Sequence, residues 1–320
     1  MRAMQIVELG KPLLMNEVEK PTPAAGEVLL RIHTCGLNFG DLLIMKGTYQ
    51  EKPPLPATIG MELCGTVEAL GAGVTHLKVG QKVGAYSGFG GLAEYNAIPA
   101  NVCVPLPDEM DTVDAAAFLI AYGTSHVGLD YKANLKAGER LLVLGASGGV
   151  GLTAVELGKL MGAEVIAVAR NDEKLAICKE AGADHLINSE TDDIREIVKS
   201  LGGADVVYDP VGGDQFKAAM RACNPEARIL PLGFASGDVP QIPANILLVK
   251  NLTVIGYYWG GYTRVNPKVL IDSFETLIDW YTAGKIKPHI SATYPLDQAN
   301  EALELLRTRK ATGKVVVTIS

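Results

Sequence analysis

A chain of 320 residues is too long for one small core and suits two compact domains. Hydrophobic residues at 48% and charged residues at 20% are the proportions of a soluble globular protein. A net charge of −7, with no run of lysine or arginine, excludes a basic surface for nucleic-acid phosphates or anionic membranes. No apolar stretch approaches the ~20 residues that span a bilayer, and the Met1-Arg2-Ala3-Met4-Gln5 start is not the apolar core of a signal peptide. Five scattered cysteines (Cys35, Cys64, Cys103, Cys178, Cys223) form no CxxC pair, as expected of reduced packing residues in a cytoplasmic protein.

The first third reads as β-rich. Glu27–Ile32 and Gly65–Leu70 are short apolar runs, and Gly71-Ala72-Gly73, Val79–Gly84 and Ser87–Gly91 supply turns, so a partly open barrel or sandwich is expected. Asp111–Leu129 is Ala-rich with a helical pattern, capped by Asp111 or Thr112. Strands and helices then alternate: strand Arg140–Leu144, helix Gly149–Met161, strand Glu164–Ala169, helix Asp172–Ala181, strand Ala204–Tyr208, helix Gln215–Ala222, and strands Arg228–Leu232 and Leu252–Ile255. This rhythm predicts an α/β, doubly wound parallel sheet. Two amphipathic helices (Val269–Thr282, Leu296–Arg307) and a strand (Lys314–Ile319) follow, and that last strand is expected to rejoin the first domain. The division expected is 1–121 with 264–320 for one domain and 122–263 for the inserted one.

The most informative segment is Leu144-Gly145-Ala146-Ser147-Gly148-Gly149-Val150-Gly151, which follows a strand and opens a helix. Ala146, Gly148 and Gly151 hold the three spaced positions of a GxGxxG loop, with Gly149 and Val150 between them. Small residues there permit a tight turn, close approach of a pyrophosphate to backbone N–H groups, and close helix–strand packing. The second strand of the sheet ends at Arg170 rather than at the acid that binds an NAD ribose. Arg170 and Lys174 predict a 2′-phosphate and hence NADPH; the alternative is that Asp172 or Glu173 serves the ribose.

Together with Cys35-Gly36-Leu37-Asn38-Phe39-Gly40-Asp41 and Ile59-Gly60-Met61-Glu62-Leu63-Cys64-Gly65, this loop resembles the medium-chain dehydrogenase/reductase superfamily. The similarity is to its zinc-independent, zeta-crystallin-like quinone oxidoreductase branch, over essentially the whole chain. It implies a GroES-like, mostly β catalytic domain with an inserted Rossmann domain and an active site in the cleft between them. Asn38 and Met61 stand where zinc-dependent members carry a ligand Cys and His, so the expected metal complement is none. By the same resemblance Asn38 lies beside the nicotinamide, while Thr124, the Gly233-Phe234 loop and Arg309 contact the cofactor. Leu43 and Ser189 depart from the branch, standing where some members have an active-site tyrosine and a tyrosine near the 2′-phosphate. Glu62 reads equally as catalytic or as a buried, paired carboxylate.

The activity implied is hydride transfer from NADPH to a small-molecule acceptor, a quinone or enone. Tyr49, in Lys46-Gly47-Thr48-Tyr49, resembles the proposed proton donor of enoyl-thioester reductases, which makes that reaction the alternative. A non-enzymatic NADPH-binding protein is the reading of another class. The apolar, β-prone last strand of the nucleotide sheet predicts a homodimer through its edge. Tyr257-Tyr258-Trp259 reads as either cleft lining or interface.

Overall fold

The computed structural model describes residues 1–319 and consists of two units, Met1–Ile120 with the segment from Ile278 onward, and Ala121–Leu277. The first unit is built on a seven-stranded sheet. In order across it run Ile290–Pro295, Lys314–Thr318, Glu27–Leu37, Glu62–Leu70, Lys82–Tyr86 and Cys103–Pro105, and Tyr95–Pro99 also pairs with Glu27–Leu37. Glu27–Leu37 extends five residues beyond the apolar run read from sequence. Neighbours on both sides bury it almost throughout, so its inner residues need not alternate. The last strand, Lys314–Thr318, rejoins this unit as expected, pairing antiparallel with Val315 opposite Leu37 and Val316 opposite Gly36.

The second unit holds a six-stranded parallel sheet in the order His185–Asn188, Glu164–Ala169, Arg140–Val143, Ala204–Asp209, Cys223–Pro231, Thr253–Val254. Numbered along the chain this is 3-2-1-4-5-6, the doubly wound Rossmann order. Leu141–Leu144 and Val165–Val168 are fully buried, as helices on both faces require. The order reverses between Arg140–Val143 and Ala204–Asp209, and open α/β sheets bind ligands off the strand ends at such a point.

Three expectations change. The Ala-rich run is not one helix but Thr112–Ala116, Leu119–His126 and a π-helical turn Val127–Lys132. Its cap is Asp111, whose carboxylate accepts from the Val113 N–H at 2.8 Å. Strand His185–Asn188 and helix Ile194–Ser200 lie in a stretch from which no element was read. The second boundary falls after Leu277 rather than at 263/264, because helix Pro267–Thr282 belongs largely to the Rossmann unit. There Phe274 packs edge-on against Trp259 at 6.1 Å, and Ser273 Oγ lies 2.9 Å from His126 Nδ1. Among the described residues no helix is long and apolar enough to cross a membrane.

Candidate active site

In the Rossmann unit, Gly148 is the N-cap of helix Gly149–Leu160, at the end of the short loop that follows strand Arg140–Val143. Two glycines of the loop have different reasons to be glycine. A Cβ on Gly151 would lie 2.3 Å from the Gly145 carbonyl oxygen and 2.9 Å from Ala146 Cα, so helix–strand packing forbids one. A Cβ on Gly148 would meet only the Gly145 oxygen, at 3.4 Å, and its φ of −81° suits any residue. The protein's own packing leaves Gly148 free to be larger. What its small size provides is an open cradle at a helix N-terminus, which fits a pyrophosphate.

Arg170 immediately follows strand Glu164–Ala169, and Lys174 lies in the first turn of helix Asp172–Glu180. Burial, and then the nearby Arg170 charge, hold the Lys174 ammonium below the ordinary lysine range. Two cations gathered at the tip of the second strand suit a phosphate dianion. Asp172, the alternative ribose ligand, accepts instead from Asn188 Nδ2 at 3.2 Å, and Glu173 is exposed. Thr124 lies in helix Leu119–His126, with its carbonyl accepting from the Tyr257 hydroxyl at 3.2 Å. Next to it is a hydroxyl network absent from the sequence reading. Ser125 Oγ lies 2.9 Å from the Val150 carbonyl oxygen and 2.8 Å from both Thr153 Oγ1 and the Tyr208 hydroxyl. It anchors the nucleotide loop to its neighbouring helix.

Gly233 and Phe234 follow strand Cys223–Pro231, and Phe234 is 42% exposed. Their loop is tied to the turn after Ala204–Asp209, since the N–H groups of Ala235 and Ser236 donate to the Pro210 and Val211 carbonyls. Tyr257 and Trp259 turn into the Rossmann unit, whereas Tyr258 is exposed. Each histidine has its own partner (Thr66 for His33, Ala100 for His76, Ser273 for His126, Glu164 for His185, Thr312 for His289).

The GroES-like unit holds the second cluster. Asn38 is the N-cap of helix Phe39–Met45, at the end of Glu27–Leu37. Lys314, a residue to which sequence reading gave no role, begins the adjacent strand, and Glu62 begins the strand on the other side. The Lys314 ammonium donates to Asn38 Oδ1 at 2.7 Å and to Glu62 Oε2 at 2.9 Å. Asn38 Nδ2 donates to the Gly36 carbonyl at 3.1 Å and to Glu62 Oε2 at 3.2 Å, while Glu62 Oε1 accepts from the Ile120 N–H at 2.9 Å. Glu62 is therefore a buried, paired carboxylate. Asp41 lies behind the cluster, its two oxygens accepting from the N–H groups of Asn38 and Gly60. Burial pushes its carboxyl up to about 6. Tyr49 lies close by: a Cβ on Gly40 would be 2.7 Å from Met61 Sδ and 3.5 Å from Tyr49 Cε2. Arg309 is an exposed residue of the same unit with a φ of +56°, just past helix Ala299–Arg307.

Residues 24–108 match the alcohol dehydrogenase GroES-like domain, and residues 149–282 match the zinc-binding dehydrogenase domain. These domains, the Rossmann strand order and the nucleotide loop place the chain in the medium-chain dehydrogenase/reductase superfamily. Within it the chain belongs to the quinone oxidoreductase-like branch. It is 42% identical to quinone oxidoreductase-like protein 2 homolog of Nematostella vectensis, over 99% of this chain and 88% of that protein. It is 31% identical to the human synaptic vesicle membrane protein VAT-1 homolog, over 93% of this chain and 80% of the relative. The crystal structure of Escherichia coli quinone oxidoreductase complexed with NADPH superposes with a TM-score of 0.92 at 29% identity, covering 99% of this chain and 100% of that one.

The residues at Asn38 do not fit the zinc ion that the matched domain's description implies. The Asn38 amide oxygen accepts from a buried ammonium, a cation that a metal would have to displace, and Met61 offers a thioether packed on Gly40. Among the described residues no group of three or more His, Cys, Asp or Glu could hold a metal ion.

Proposed function

We propose that the protein is a zinc-independent, NADPH-dependent reductase of quinones and similar conjugated carbonyls. The observation that carries this reading is the Gly148 cradle at the switch point of a 3-2-1-4-5-6 sheet, with Arg170 and Lys174 at the tip of the second strand. Gly148, Gly149, Val150 and Gly151 would hold the pyrophosphate, and Arg170 and Lys174 the 2′-phosphate. Thr124, Gly233, Phe234 and Arg309 would complete the cofactor contacts. NADPH, when bound, supplies the hydride. Asn38 would meet the acceptor oxygen, where negative charge forms as the quinone becomes a hydroquinone monoanion that solvent then protonates. An electron-poor acceptor of this kind needs no metal to polarise it. The five free, buried cysteines suit a cytoplasmic location, and we assign the assembly as a homodimer.

Tyr49 keeps a second reading open, because its ring borders Gly40, two residues from Asn38. A phenol there suits protonation of an enoyl-thioester enolate, a step worth ~10²–10⁴-fold where a general acid is used. The test is NADPH oxidation against a panel of quinones, enones and enoyl thioesters, for the wild type and Tyr49→Phe. The quinone reading expects turnover with quinones that Tyr49→Phe leaves unchanged. Thioester turnover that falls on the same substitution would favour the second. Tight NADPH binding with no turnover of any acceptor would identify a non-enzymatic NADPH-binding protein.

A further inference from the structure

Surface ion pairs of this protein, such as Arg140–Glu164 and Arg228–Glu139, keep a fifth or more of each side chain exposed. Lys314–Glu62 differs, with side chains 5% and 0% exposed. Removing two charges from water costs several kcal/mol per ion, and apolar residues of like size commonly serve stability as well or better. Packing therefore does not account for this pair. Its geometry does. Three adjacent strands bring their ends together, with Gly36 opposite Glu62 and Val315 opposite Leu37, so that Lys314 falls beside Asn38.

The ammonium can only donate, so the amide must turn its oxygen to Lys314 and its NH2 to Gly36 and Glu62. The opposite orientation would set NH2 against ammonium. A cation on an amide oxygen also draws electrons from the nitrogen, making its N–H groups stronger donors. We propose that Lys314 is a positioning residue of the reductase site, locking the Asn38 amide in one orientation beside the acceptor and holding a buried cation there in place of a metal. This rests on the reading that Asn38 meets the acceptor.

Lys314→Met alone would leave Glu62 buried and uncompensated, so the informative variant is the neutral pair Lys314→Met/Glu62→Gln. With 1,4-naphthoquinone as acceptor, we expect its kcat to fall roughly 10–10²-fold, less than the ~10²–10³-fold for loss of a direct oxyanion donor. NADPH affinity and KM should move by no more than about twofold, since the lost interaction acts on the transition state. Lys314→Arg, which keeps the cation, should recover part of the loss. In NMR spectra of the cofactor-free protein, the Asn38 side-chain amide protons, identified by their disappearance in Asn38→Asp, should shift upfield in the neutral pair. A folded neutral pair with kcat within about twofold of wild type would overturn the role of Lys314. So would unshifted Asn38 amide protons. A wild type that turns over no acceptor would instead defeat the reductase reading itself.

Discussion

Gly148 and Gly151 stand three residues apart in one loop, yet the same substitution should affect them in opposite ways. Gly151→Ala puts a methyl 2.3 Å from a backbone oxygen that cannot move without shifting the strand end. It should lower stability by about 1–3 kcal/mol, the usual cost of overpacking, read as an earlier denaturation midpoint. Gly148→Ala finds its nearest neighbour at 3.4 Å and should leave that midpoint nearly unchanged while weakening NADPH binding. Full NADPH affinity in Gly148→Ala would remove the cradle from the site. Arg170→Ala should weaken NADPH by about 1–3 kcal/mol, the range for charge-assisted hydrogen bonds, and leave NADH nearly untouched. Calorimetry with both dinucleotides checks this, and equal losses would reassign Arg170 to a structural role. The places of these glycines and cations, at a helix start and a strand end, were legible in the sequence from their spacing; their contact with the cofactor is the proposal these variants test. The place of Lys314 was not legible. It sits in the same C-terminal segment as Arg309, but nothing in a linear sequence says that a strand's first lysine is buried against Asn38, 276 residues away.

At the scale of elements, sequence reading did best where a strand is continuously apolar, as in Glu164–Ala169, whose limits match. It failed where elements are short or shaped by distant rings. His185–Asn188 has four residues and only two apolar ones, too few for a period to register. The Ala-rich run divides at Ala117-Phe118 and turns π-helical after His126, where Gly128 lies under Tyr257, a contact set by a residue more than a hundred positions on. The end of strand Ala204–Asp209 gives a prediction of its own. Asp209 Oδ1 accepts from the N–H groups of Val211 and Gly212, holding the turn beside the Gly233-Phe234 loop, while Oδ2 is buried without a hydrogen-bond partner. Burial pushes this carboxyl up from 3.8 to about 6. The folded protein thus holds the proton more tightly than the unfolded chain does. The stability this contributes is complete below pH ~4 and is lost as the pH rises through about 6. Asp209→Asn copies the protonated form. It should melt with the wild type at acidic pH and a few degrees above it at pH ~8, a difference on the order of 3 kcal/mol or less. Equal melting shifts at both pH values would show that Asp209 does not titrate in this way.

At the scale of the whole molecule, the edge of the Rossmann sheet bears on assembly. Thr253–Val254 is the outermost strand and pairs on one side only, with Arg228 and Ile229. A free edge of this kind is a template for another chain unless it is covered or charged. Just before it, helix Ala244–Lys250 buries none of its residues, and Leu248 and Val249 are each 77% exposed. Val265 at 79% and Ile271 at 56% add to the apolar surface of the same unit. Single exposed apolar residues are common on any surface, but adjacent ones next to an unpaired parallel strand suit the proposed interface. A twofold axis at that edge would pair the last strand of one protomer with its copy, and the same residues would be covered on both sides. Light scattering should then give twice the 33.9 kDa chain mass at micromolar concentration. Leu248→Glu/Val249→Lys tests the surface directly, because it buries nothing in the monomer and so leaves the fold alone. The expected outcome is a folded monomer that still binds NADPH, since the Gly148 loop and Arg170 belong to other strand ends. If that variant stays dimeric, the interface lies elsewhere. If the wild type is a monomer, the edge at Thr253–Val254 is protected by some other means.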